Sequence, residues 1–423
     1  MTALDHQSTD VITTPSQRGV DLDRWPAMAH PRPSPARASL ARLLLRRVAL
    51  RTGVRVALPD GTCYGSTDGP LMTVHRPREM FARLARDGKI GFGEAYMAGD
   101  WDAADLVAVL EPMARNLRSL VPPRLQFLRR AYDARHPRAE GNDRAGSRRN
   151  IARHYDLSND MFALFLDDTM TYSAGLFSAA TDSLEQAQIR KIDRLLDAVG
   201  VGPGVRLLEI GTGWGELALS AARRGAHVTT ITLSREQASF THARVRAEGL
   251  DSQVDVRVQD YRDVEGRFDA IVSVEMVEAV GDEWWPTFFR QLDARLADGG
   301  LVGLQAILMP HDRLLASKSS WTWIHKYIFP GGLIPSEPAI DDVLARDTSL
   351  RVRDRLRFGT SYAQTLHCWR ETFTRHAPEV DALGFDHIFR RMWTFYLSYC
   401  EAGFRAGYLD VAQLVLDRPG DHR

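Results

Sequence analysis

The sequence predicts an α/β fold: a mostly parallel sheet with helices on both faces, preceded by a smaller α+β domain. Three observations predict it. Between about residues 205 and 307, apolar runs of strand length alternate with segments of helical periodicity, the pattern of successive β-α units. In the first of these units, VRLLEIGTGWG, three glycines at alternate positions join a strand to a helix. The charged, Gly- and Pro-containing stretch DARHPRAEGNDRAGSRR (133–149) is typical of a linker between two domains.

The composition is typical of a protein of two domains without a nucleic-acid partner or a membrane span. The 423 residues suffice for two domains, and the 54 basic and 54 acidic residues balance to zero net charge, so nothing global indicates a nucleic-acid partner. The three cysteines lie far apart and fit no zinc or disulfide pattern, which favours a reducing cytoplasm. The N-terminus has no apolar segment of the signal-peptide type, and no apolar run of about 18 residues predicts a membrane span.

The N-terminal third contains a basic helical segment. Residues 1–35 are polar and Pro-rich and are predicted to be disordered; residues 36–132 are predicted to form a lipid- or membrane-associated domain. Between residues 31 and 58 there are seven arginines and no acid. Two interpretations stay open at this point: a surface helix with a solvated charged face, or a helix that contacts anionic lipid.

The main domain is predicted to cover residues 150–423. Its strands and helices follow from hydrophobic periodicity and from glycines at the helix ends. The predicted strands are 205–210, 227–233, 254–259, 268–274 and 301–307, and the predicted helices are 215–225, 235–249 and 284–300.

The glycine loop indicates a ligand site, because ligands of such sheets bind beyond the carboxyl ends of the strands. Glycine also lets a ligand approach the backbone closely. A dinucleotide loop would need a third glycine at position 216, where the sequence has Glu216. Glu209, two residues before the first glycine, completes a pattern that resembles S-adenosylmethionine sites. A tight turn without a ligand is the remaining alternative.

Beyond this loop, further motifs carry a family resemblance. RHYDLSNDMF (153–162), MTYSAGLF (170–177), SVEMVEAVG (273–281) and KYIFPGG (326–332) resemble the cyclopropane-fatty-acid synthase family of S-adenosylmethionine-dependent methyltransferases. Together with the glycine loop and IGFGEAYMAGDW (90–101), the resemblance covers about residues 60–415. It is greatest to the branch that methylates oleoyl chains to 10-methylene stearoyl, the precursor of tuberculostearic acid in actinobacteria. It therefore implies a Rossmann-like methyltransferase domain and S-adenosylmethionine as cofactor.

The resemblance also implies the cofactor contacts. The Tyr172-Ser173 pair would cover the methionine part, Glu209 and the loop would form the floor, Thr232 and Gln237 would lie near the ribose, and Asp260 and Tyr261 would border the adenine. Most of these residues follow strand ends, although each aromatic taken alone is more typical of a packed core. The full predicted set is Tyr172, Ser173, Glu209, Gly211, Gly213, Trp214, Gly215, Thr232, Gln237, Asp260 and Tyr261.

For catalysis, the resemblance implies a bicarbonate base held by a cysteine, a glutamate, a histidine, an isoleucine backbone and a tyrosine. The glutamate matches Glu278, the isoleucine Ile307 and the tyrosine Tyr362, but the cysteine position is Ala174 and the histidine position is Gln305. Two side chains of the cradle are changed, so binding of bicarbonate stays open. Glu278 is the predicted catalytic carboxylate, and its alternative is an acid that only bonds backbone at a helix start.

The changed cradle bears on the product. Attack of an alkene on the sulfonium methyl leaves a carbocation, which aromatic faces can stabilise; the candidates are Trp321, Trp323, Tyr327, Phe329, Tyr362, Tyr396 and Tyr399. A weak or displaced base would allow a hydride shift before proton loss, and the product would be a methylene branch. The alternatives are a cyclopropane synthase, a small-molecule methyltransferase and a non-catalytic lipid-binding protein.

The same resemblance shapes the expected partners. A phospholipid acyl chain as substrate implies peripheral contact with an anionic membrane, at the inner face of the cell membrane of a cytoplasmic protein. A methylene product implies a separate reductase, and a homodimer is compatible with the sequence. His154, His311 and His325 have no metal-ligand spacing, so no metal is predicted.

Overall fold

The computed structural model describes residues 20–31, 34–116, 143, 146, 158–179, 181–318 and 320–420. Its contacts divide the chain into two compact units, one ending at Val109 and one beginning at Leu110. Nearly all of the predicted linker, most of the predicted disordered segment, and His154 lie outside the described residues. The predicted domain limits at 36–132, 133–149 and 150–423 stay predictions.

The first unit combines a small sheet with helices. Its strands pair in the order β2-β1-β3-β4, with β1 and β3 parallel and the other pairs antiparallel. A buried ion pair between Arg83 and Asp100 lies in this unit. The elements are α1 (Pro35–Thr52), β1 (Arg55–Ala57), β2 (Cys63–Tyr64), β3 (Leu71–Val74), α2 (Pro77–Asp87), α3 (Lys89–Met97), β4 (Trp101–Asp102) and α4 (Leu106–Arg115), which begins in this unit and ends in the next.

The second unit is built on a seven-stranded sheet with the order β10-β11-β9-β8-β5-β6-β7. The five strands from β9 to β7 in this order are mutually parallel, and β11 runs antiparallel to both of its neighbours. The strands are β5 (Arg206–Ile210), β6 (His227–Thr232), β7 (Val254–Val258), β8 (Phe268–Val274), β9 (Leu296–Leu308), β10 (Arg351–Arg357) and β11 (Asp410–Asp417).

Helices connect these strands, and several begin at polar caps. Ser183 accepts the Gln186 backbone N–H and Ser234 accepts that of Gln237, which satisfies donors that a helix start leaves free. The helices are α5 (Asn159–Ala163), α6 (Leu184–Ala198), α7 (Glu216–Arg223), α8 (Arg235–Ala247), α9 (Val277–Val280), α10 (Trp285–Arg295), α11 (His311–Ser317), α12 (Trp323–Tyr327), α13 (Glu337–Asp347), α14 (Gly359–Arg375), α15 (Ala377–Ala382) and α16 (His387–Arg405).

Two apolar clusters cover the two faces of the large sheet. Successive strand residues point to opposite faces: Leu207 packs with helices α6, α7 and α8, whereas Leu208 packs with α10 and α13. Both side chains are almost fully buried. The predicted mostly parallel sheet with helices on both faces is therefore confirmed.

The prediction of one helix over 284–300 is wrong at its C-terminal end. Helix α10 ends at Arg295, and β9 begins at Leu296. Leu296 is fully buried and pairs with Phe268 at the start of β8, so strand pairing overrides the helical periodicity. Gly299, with φ of +73°, lies inside the strand rather than at a helix end.

In this sheet, β5 lies between β6 and β8. The chain leaves β5 for a helix and returns to β6 on one side, while β8 pairs on the other side. The carboxyl ends of β5 and β8 therefore border the crevice in which ligands of open α/β sheets bind. Within the described ranges, no helix has the length and apolar composition of a membrane span.

Candidate active site

The glycine loop between β5 and α7 has three left-handed glycines. Gly211, Gly213 and Gly215 have φ of +101°, +53° and +93°, values that other residues rarely adopt. A Cβ on Gly211 would lie 2.6 Å from the Met276 side chain, and one on Gly215 would lie 2.6 Å from Thr241. A Cβ on Gly213 would have no neighbour within 4 Å. Two glycines are thus required by packing, and the third leaves the backbone open to a ligand.

Glu209 lies at the carboxyl end of β5, just before this loop. Its carboxylate is buried and accepts a 2.6 Å hydrogen bond from the Thr230 hydroxyl, which is also 2.7 Å from the Thr212 hydroxyl. Burial raises the pKa of Glu209 to about 8, an effect that the Thr230 hydrogen bond and the charge of Lys191 oppose. A buried carboxyl is therefore fixed at the base of the loop.

Aromatic rings link the loop to the predicted Tyr172-Ser173 pair. Trp214, in the loop, donates its indole N–H to Asn159 Oδ1 at 2.9 Å. The ring of Phe162 lies 4.8 Å from the Trp214 ring and 5.1 Å from the Tyr172 ring, measured between centroids. The structure therefore brings Tyr172 and the loop together around Phe162.

Ser173 contacts a buried cation that the sequence did not single out. Its hydroxyl accepts a 2.7 Å hydrogen bond from Lys191 Nζ, and both side chains are buried. Burial lowers the pKa of Lys191 to about 8, and the charges of Glu275, Asp167 and Glu209 oppose that fall. The Lys191 ammonium thus interacts electrostatically with the carboxylates of Glu275, Asp167 and Glu209.

The residues predicted near the ribose lie at the end of β6. The Thr232 hydroxyl donates to Gln237 Oε1 at 2.8 Å, and both side chains are buried. Because Gln237 is also in the first turn of α8, this bond ties the strand end to the helix start. The pair is positioned to form one wall of the crevice beyond β6.

The residues predicted near the adenine follow β7. The Asp260 carboxylate accepts from Arg262 Nε and Nη2 at 2.8 and 2.7 Å. The Tyr261 ring meets the Phe288 ring edge-on, and its buried hydroxyl has no hydrogen-bond partner. Burial raises the Tyr261 pKa to about 12. Asp260 is thus already held by an arginine, while the Tyr261 hydroxyl is free to bond a ligand.

A second carboxylate cluster lies at the carboxyl end of β8, and its centre is Glu275. Its Oε1 accepts from the Ala174 backbone N–H and from Gln305 Nε2, each at 2.9 Å, and its Oε2 accepts from the Tyr362 hydroxyl at 2.7 Å. Glu278 lies one helical turn later, and its Oε1 accepts the Ile307 backbone N–H at 2.5 Å. Both residues are partly buried, and the Oε2 atom of Glu278 is itself buried.

The predicted catalytic residues do not all surround the predicted carboxylate, Glu278. Ala174, Gln305 and Tyr362 contact Glu275, and only Ile307 contacts Glu278. Sequence reasoning missed Glu275, although it stands in the same motif, SVEMVEAVG, directly after β8. An acid at a strand end facing the glycine loop was the signal that could have found it.

The aromatic residues divide as well. Tyr172 and Tyr396 join through their hydroxyls at 2.8 Å, and Phe329 meets the Tyr396 ring edge-on. The Tyr172 ring also packs on Trp369. Trp323, Tyr327, Phe395 and Tyr399 form a separate run of ring contacts, and Trp321 contacts Lys326. Of the predicted aromatic residues, Tyr362, Tyr396 and Phe329 are thus connected to Glu275 or Tyr172 of the candidate site.

Among the described residues, no group of three or more His, Cys, Asp and Glu side chains is arranged to hold a metal ion.

The sequence is similar to a family of known proteins and to individual members of it. A family model described as mycolic acid cyclopropane synthetase matches residues 142–414. The chain is 48% identical over 425 residues to tuberculostearic acid methyltransferase UfaA1 of Mycobacterium tuberculosis (strain ATCC 25618 / H37Rv), covering 98% of this chain and 99% of that protein. It is 35% identical over 343 residues to cyclopropane-fatty-acyl-phospholipid synthase of Escherichia coli (strain K12), covering 80% and 86%.

The fold has a counterpart among solved structures. Mycolic acid cyclopropane synthase CmaA1, complexed with SAH and CTAB, superposes with a TM-score of 0.59 at 30% identity, covering 64% of this chain and 97% of that one. The open glycine loop of this chain is compatible with the same kind of ligand. The predicted family and fold are confirmed: the chain belongs to the mycolic acid cyclopropane synthetase family and is an S-adenosylmethionine-dependent methyltransferase.

Proposed function

We propose that this chain methylates the double bond of an oleoyl-type phospholipid acyl chain and yields a 10-methylene branch, the precursor of tuberculostearic acid. The observation that carries the proposal is the 48% identity to a tuberculostearic acid methyltransferase along 98% of the chain. The changed cradle, with Ala174 and Gln305 at the cysteine and histidine positions, adds support from the site itself.

The described residues fit S-adenosylmethionine, whose sulfonium makes its methyl group electrophilic. We assign the floor of its site to Glu209 and the glycine loop, because the backbone at Gly213 is open. Tyr261 offers a buried hydroxyl without a partner, and Thr232 with Gln237 forms a polar wall. The remaining members of the predicted set, Tyr172, Ser173, Trp214 and Asp260, adjoin these groups in sequence or contact.

The alkene carbon bonds the methyl carbon, and the S–CH3 bond breaks with its electron pair left on sulfur. The neighbouring alkene carbon becomes a cation. The rings of Tyr172, Tyr396, Tyr362 and Phe329 can face that cation without reacting with it. Tyr362 and Tyr396 are buried and the other two are partly buried, which limits the access of water to the cation. The site therefore lets the cation survive long enough to rearrange.

A hydride shift then moves the cation to the carbon that carries the new methyl. Loss of a proton from that methyl forms the exocyclic C=CH2 bond, whereas proton loss without the shift closes a cyclopropane ring. The two outcomes differ only in when and where the proton is removed. The position of the proton acceptor therefore decides the product.

The test uses the purified full chain with S-adenosylmethionine and vesicles of oleoyl phospholipid. Mass spectrometry reports addition of one CH2, and proton NMR of the fatty esters distinguishes the isomers. We expect vinylic methylene signals. Upfield cyclopropane signals would favour the alternative, a cyclopropane synthase, to which the 35% identity with the E. coli enzyme gives some weight. Absence of any CH2 gain would overturn the proposed function.

We also propose that helix α1 contacts the surface of an anionic membrane. Ala41, Leu45 and Ala49 are buried on one face, whereas the opposite face exposes leucines that are at least half accessible to solvent. Arginines alternate with these leucines, and together they suit insertion at the headgroup level. The exposed residues of this face are Leu40, Leu43, Leu44, Arg47, Leu50 and Arg51.

Reversing charge on α1 tests this contact. Arg47→Glu combined with Arg51→Glu should lower co-sedimentation with anionic vesicles by about tenfold or more, since each basic residue near such a surface contributes about 1 kcal/mol. Arg78→Glu with Arg375→Glu, two exposed arginines elsewhere, matches the change in net charge. Equal loss in both double variants, or no loss in the first, would contradict the proposal.

Other partners follow from the product. A methylene branch must be reduced to the methyl branch, so we propose a separate reductase that supplies hydride from its own cofactor. Peripheral location at the inner face of the cell membrane and a homodimer stay predictions.

A further inference from the structure

Three hydrogen-bond donors converge on the Glu275 carboxylate. They are the Ala174 N–H, the Gln305 side-chain amide and the Tyr362 hydroxyl, all at 2.7 to 2.9 Å. Ala174, Gln305 and Tyr362 are themselves almost completely buried, so these donors have little access to water. Charge-assisted bonds of this kind favour an ionised acceptor. The three donors therefore fix the position of the Glu275 carboxylate and favour its anionic form.

The direction of the Gln305 bond is set by a neighbouring arginine. Arg194 has only donors, so Gln413 Oε1 must accept from it at 2.6 Å. The amide nitrogen of Gln413 then donates to Gln305 Oε1 at 3.1 Å. This leaves Gln305 Nε2 to donate to Glu275. Arg194 thus orients, through two amides, a donor at the carboxylate.

The backbone at Glu275 is strained in the manner of functional residues. Its φ of +52° lies in the left-handed region, which costs a non-glycine residue of order 1 kcal/mol. The next residue, Met276, packs against Gly211 of the glycine loop. A residue in this conformation thus places its carboxylate on the donors of Ala174, Gln305 and Tyr362, while its neighbour packs against the glycine loop.

The two neighbouring carboxylates have different surroundings. Glu278 accepts one hydrogen bond, its other oxygen is buried without a partner, and burial with repulsion from Glu275 raises its pKa to about 8. Burial also raises the pKa of Glu275, but three donors and the charge of Lys191 oppose that rise. The surroundings of Glu275 therefore stabilise its anionic form better than those of Glu278 do, and Glu278 is the better placed of the two to stay a neutral acid.

These contacts bear on bicarbonate. The cradle implied by the resemblance includes positions 174, 305 and 362, and here the donors from all three positions bond Glu275. The Ile307 N–H bonds Glu278. A bicarbonate would have to displace a carboxylate of the chain from each of its donors. The residues therefore do not fit a bound bicarbonate.

We infer that Glu275 is the proton acceptor of this reaction and makes the enzyme independent of bicarbonate. The inference rests on the proposed function. In the last step the C–H bond of the new methyl breaks, its electron pair forms the C=CH2 bond, and the proton passes to the Glu275 carboxylate. The proton is then released to water, which restores the anion for the next turnover. The anion enters and leaves this step unchanged, so no further reactant is needed.

The test compares wild type, Glu275→Gln and Glu275→Gly in CO2-free buffer, with and without added bicarbonate. Glu275→Gln keeps the shape and removes the base; Glu275→Gly suits the positive φ and opens the cradle. Glu265→Gln, at an exposed acid, is the matched control. Turnover, SAH affinity, melting temperature and the pH profile of kcat are measured for each.

We expect wild-type turnover to be unaffected by bicarbonate and Glu275→Gln to lower kcat by about 100-fold or more, the usual contribution of a general base. SAH affinity and melting temperature should stay near wild type, and the variant should lose the rise of kcat with pH that a base produces. Bicarbonate should raise both the activity and the melting temperature of Glu275→Gly but not the melting temperature of wild type.

Two results would overturn the inference while leaving the proposed function intact. One is wild-type turnover that falls in CO2-free buffer and returns with bicarbonate. The other is Glu275→Gln activity within about threefold of wild type. A wild type that adds no CH2 in either buffer would overturn the proposed function and this inference together.

Discussion

At the residue scale, the site pairs a carboxylate that has three hydrogen-bond donors with one, three residues later, that has a single donor. Glu275 has three donors, and Glu278 has a single backbone donor and an unpartnered buried oxygen. Burial raises the pKa of both side chains, and the additional donors at Glu275 oppose that rise more strongly than the single donor at Glu278. A neutral Glu278 has a consequence for stability that can be measured.

We predict that Glu278→Gln removes part of the pH dependence of stability. The folded pKa of Glu278, about 8, lies above its ordinary value of 4.5. Its preference for the protonated form stabilises the fold below pH 4.5, and that stabilisation is lost as pH rises through 8. The loss is at most about 5 kcal/mol. Glutamine cannot ionise, so the melting temperature of the variant relative to wild type should rise between pH 5 and pH 8.5.

The control for this prediction is the exposed acid Glu265. Glu265→Gln should change the melting temperature equally at both pH values. A Glu278→Gln difference that is the same at pH 5 and pH 8.5 would contradict the assignment of a neutral Glu278.

Site residues that directly follow a strand could be predicted from the sequence. Site residues that reach the site only through tertiary packing could not. Glu209, the three glycines and Thr232 occupy the crevice because a parallel sheet aligns its carboxyl ends. Lys191, by contrast, lies in the middle of α6, and only the packed structure brings its ammonium to Ser173. The position of Glu275 directly after β8 could be read from the sequence, but the convergence of donors from Ala174, Gln305 and Tyr362 on its carboxylate is set by tertiary contact.

At the scale of elements, the edge strand β10 could not be predicted from hydrophobic periodicity. Strand β10, RVRDRLR, carries charge at five of its seven positions and is largely exposed, so it lacks the apolar run by which central strands are predicted. Arg355 and Arg357 pair with Asp341 and Glu337 of α13. Such charge is typical of edge strands, where it opposes pairing with other chains.

The glycine loop offers a prediction at the same scale, because its glycines serve different purposes. Gly213→Ala should cost about 1 kcal/mol of backbone strain and lower SAH affinity by about tenfold or more, since the new methyl would enter open space on the ligand side. Gly215→Ala should instead destabilise the fold, because its Cβ would lie 2.6 Å from Thr241. Calorimetric titration with SAH and melting temperatures separate the two effects.

A matched glycine lies outside the site. Gly249, after α8, has φ of +68° and also has no neighbour within 4 Å of an added Cβ. Gly249→Ala should show the strain of Gly213→Ala without the loss of affinity. Wild-type SAH affinity in Gly213→Ala would show that this glycine does not face the ligand.

At the scale of the whole molecule, the distribution of charge matters more than its sum. The chain has zero net charge, yet residues 31–58 contain seven arginines and no acid. A neutral molecule gains no long-range attraction to an anionic surface from its total charge. Binding to such a surface must therefore come from a local patch, whose field reaches only about one Debye length, roughly 10 Å at 0.1 M salt.

A contact that acts over so short a range should be sensitive to salt. Raising salt from about 0.05 M to about 0.5 M should reduce both vesicle binding and turnover on anionic vesicles severalfold, because screening weakens the contacts of α1 arginines with lipid headgroups. Turnover on the same acyl chains in neutral detergent micelles should change little, since the site itself is buried among aromatic side chains. Parallel assays at each salt concentration measure both rates. Equal salt sensitivity in the two systems would place the effect in catalysis and contradict attachment through α1, whereas a loss confined to vesicles would show that access to the substrate depends on electrostatic attachment to the membrane surface, as the α1 contact requires.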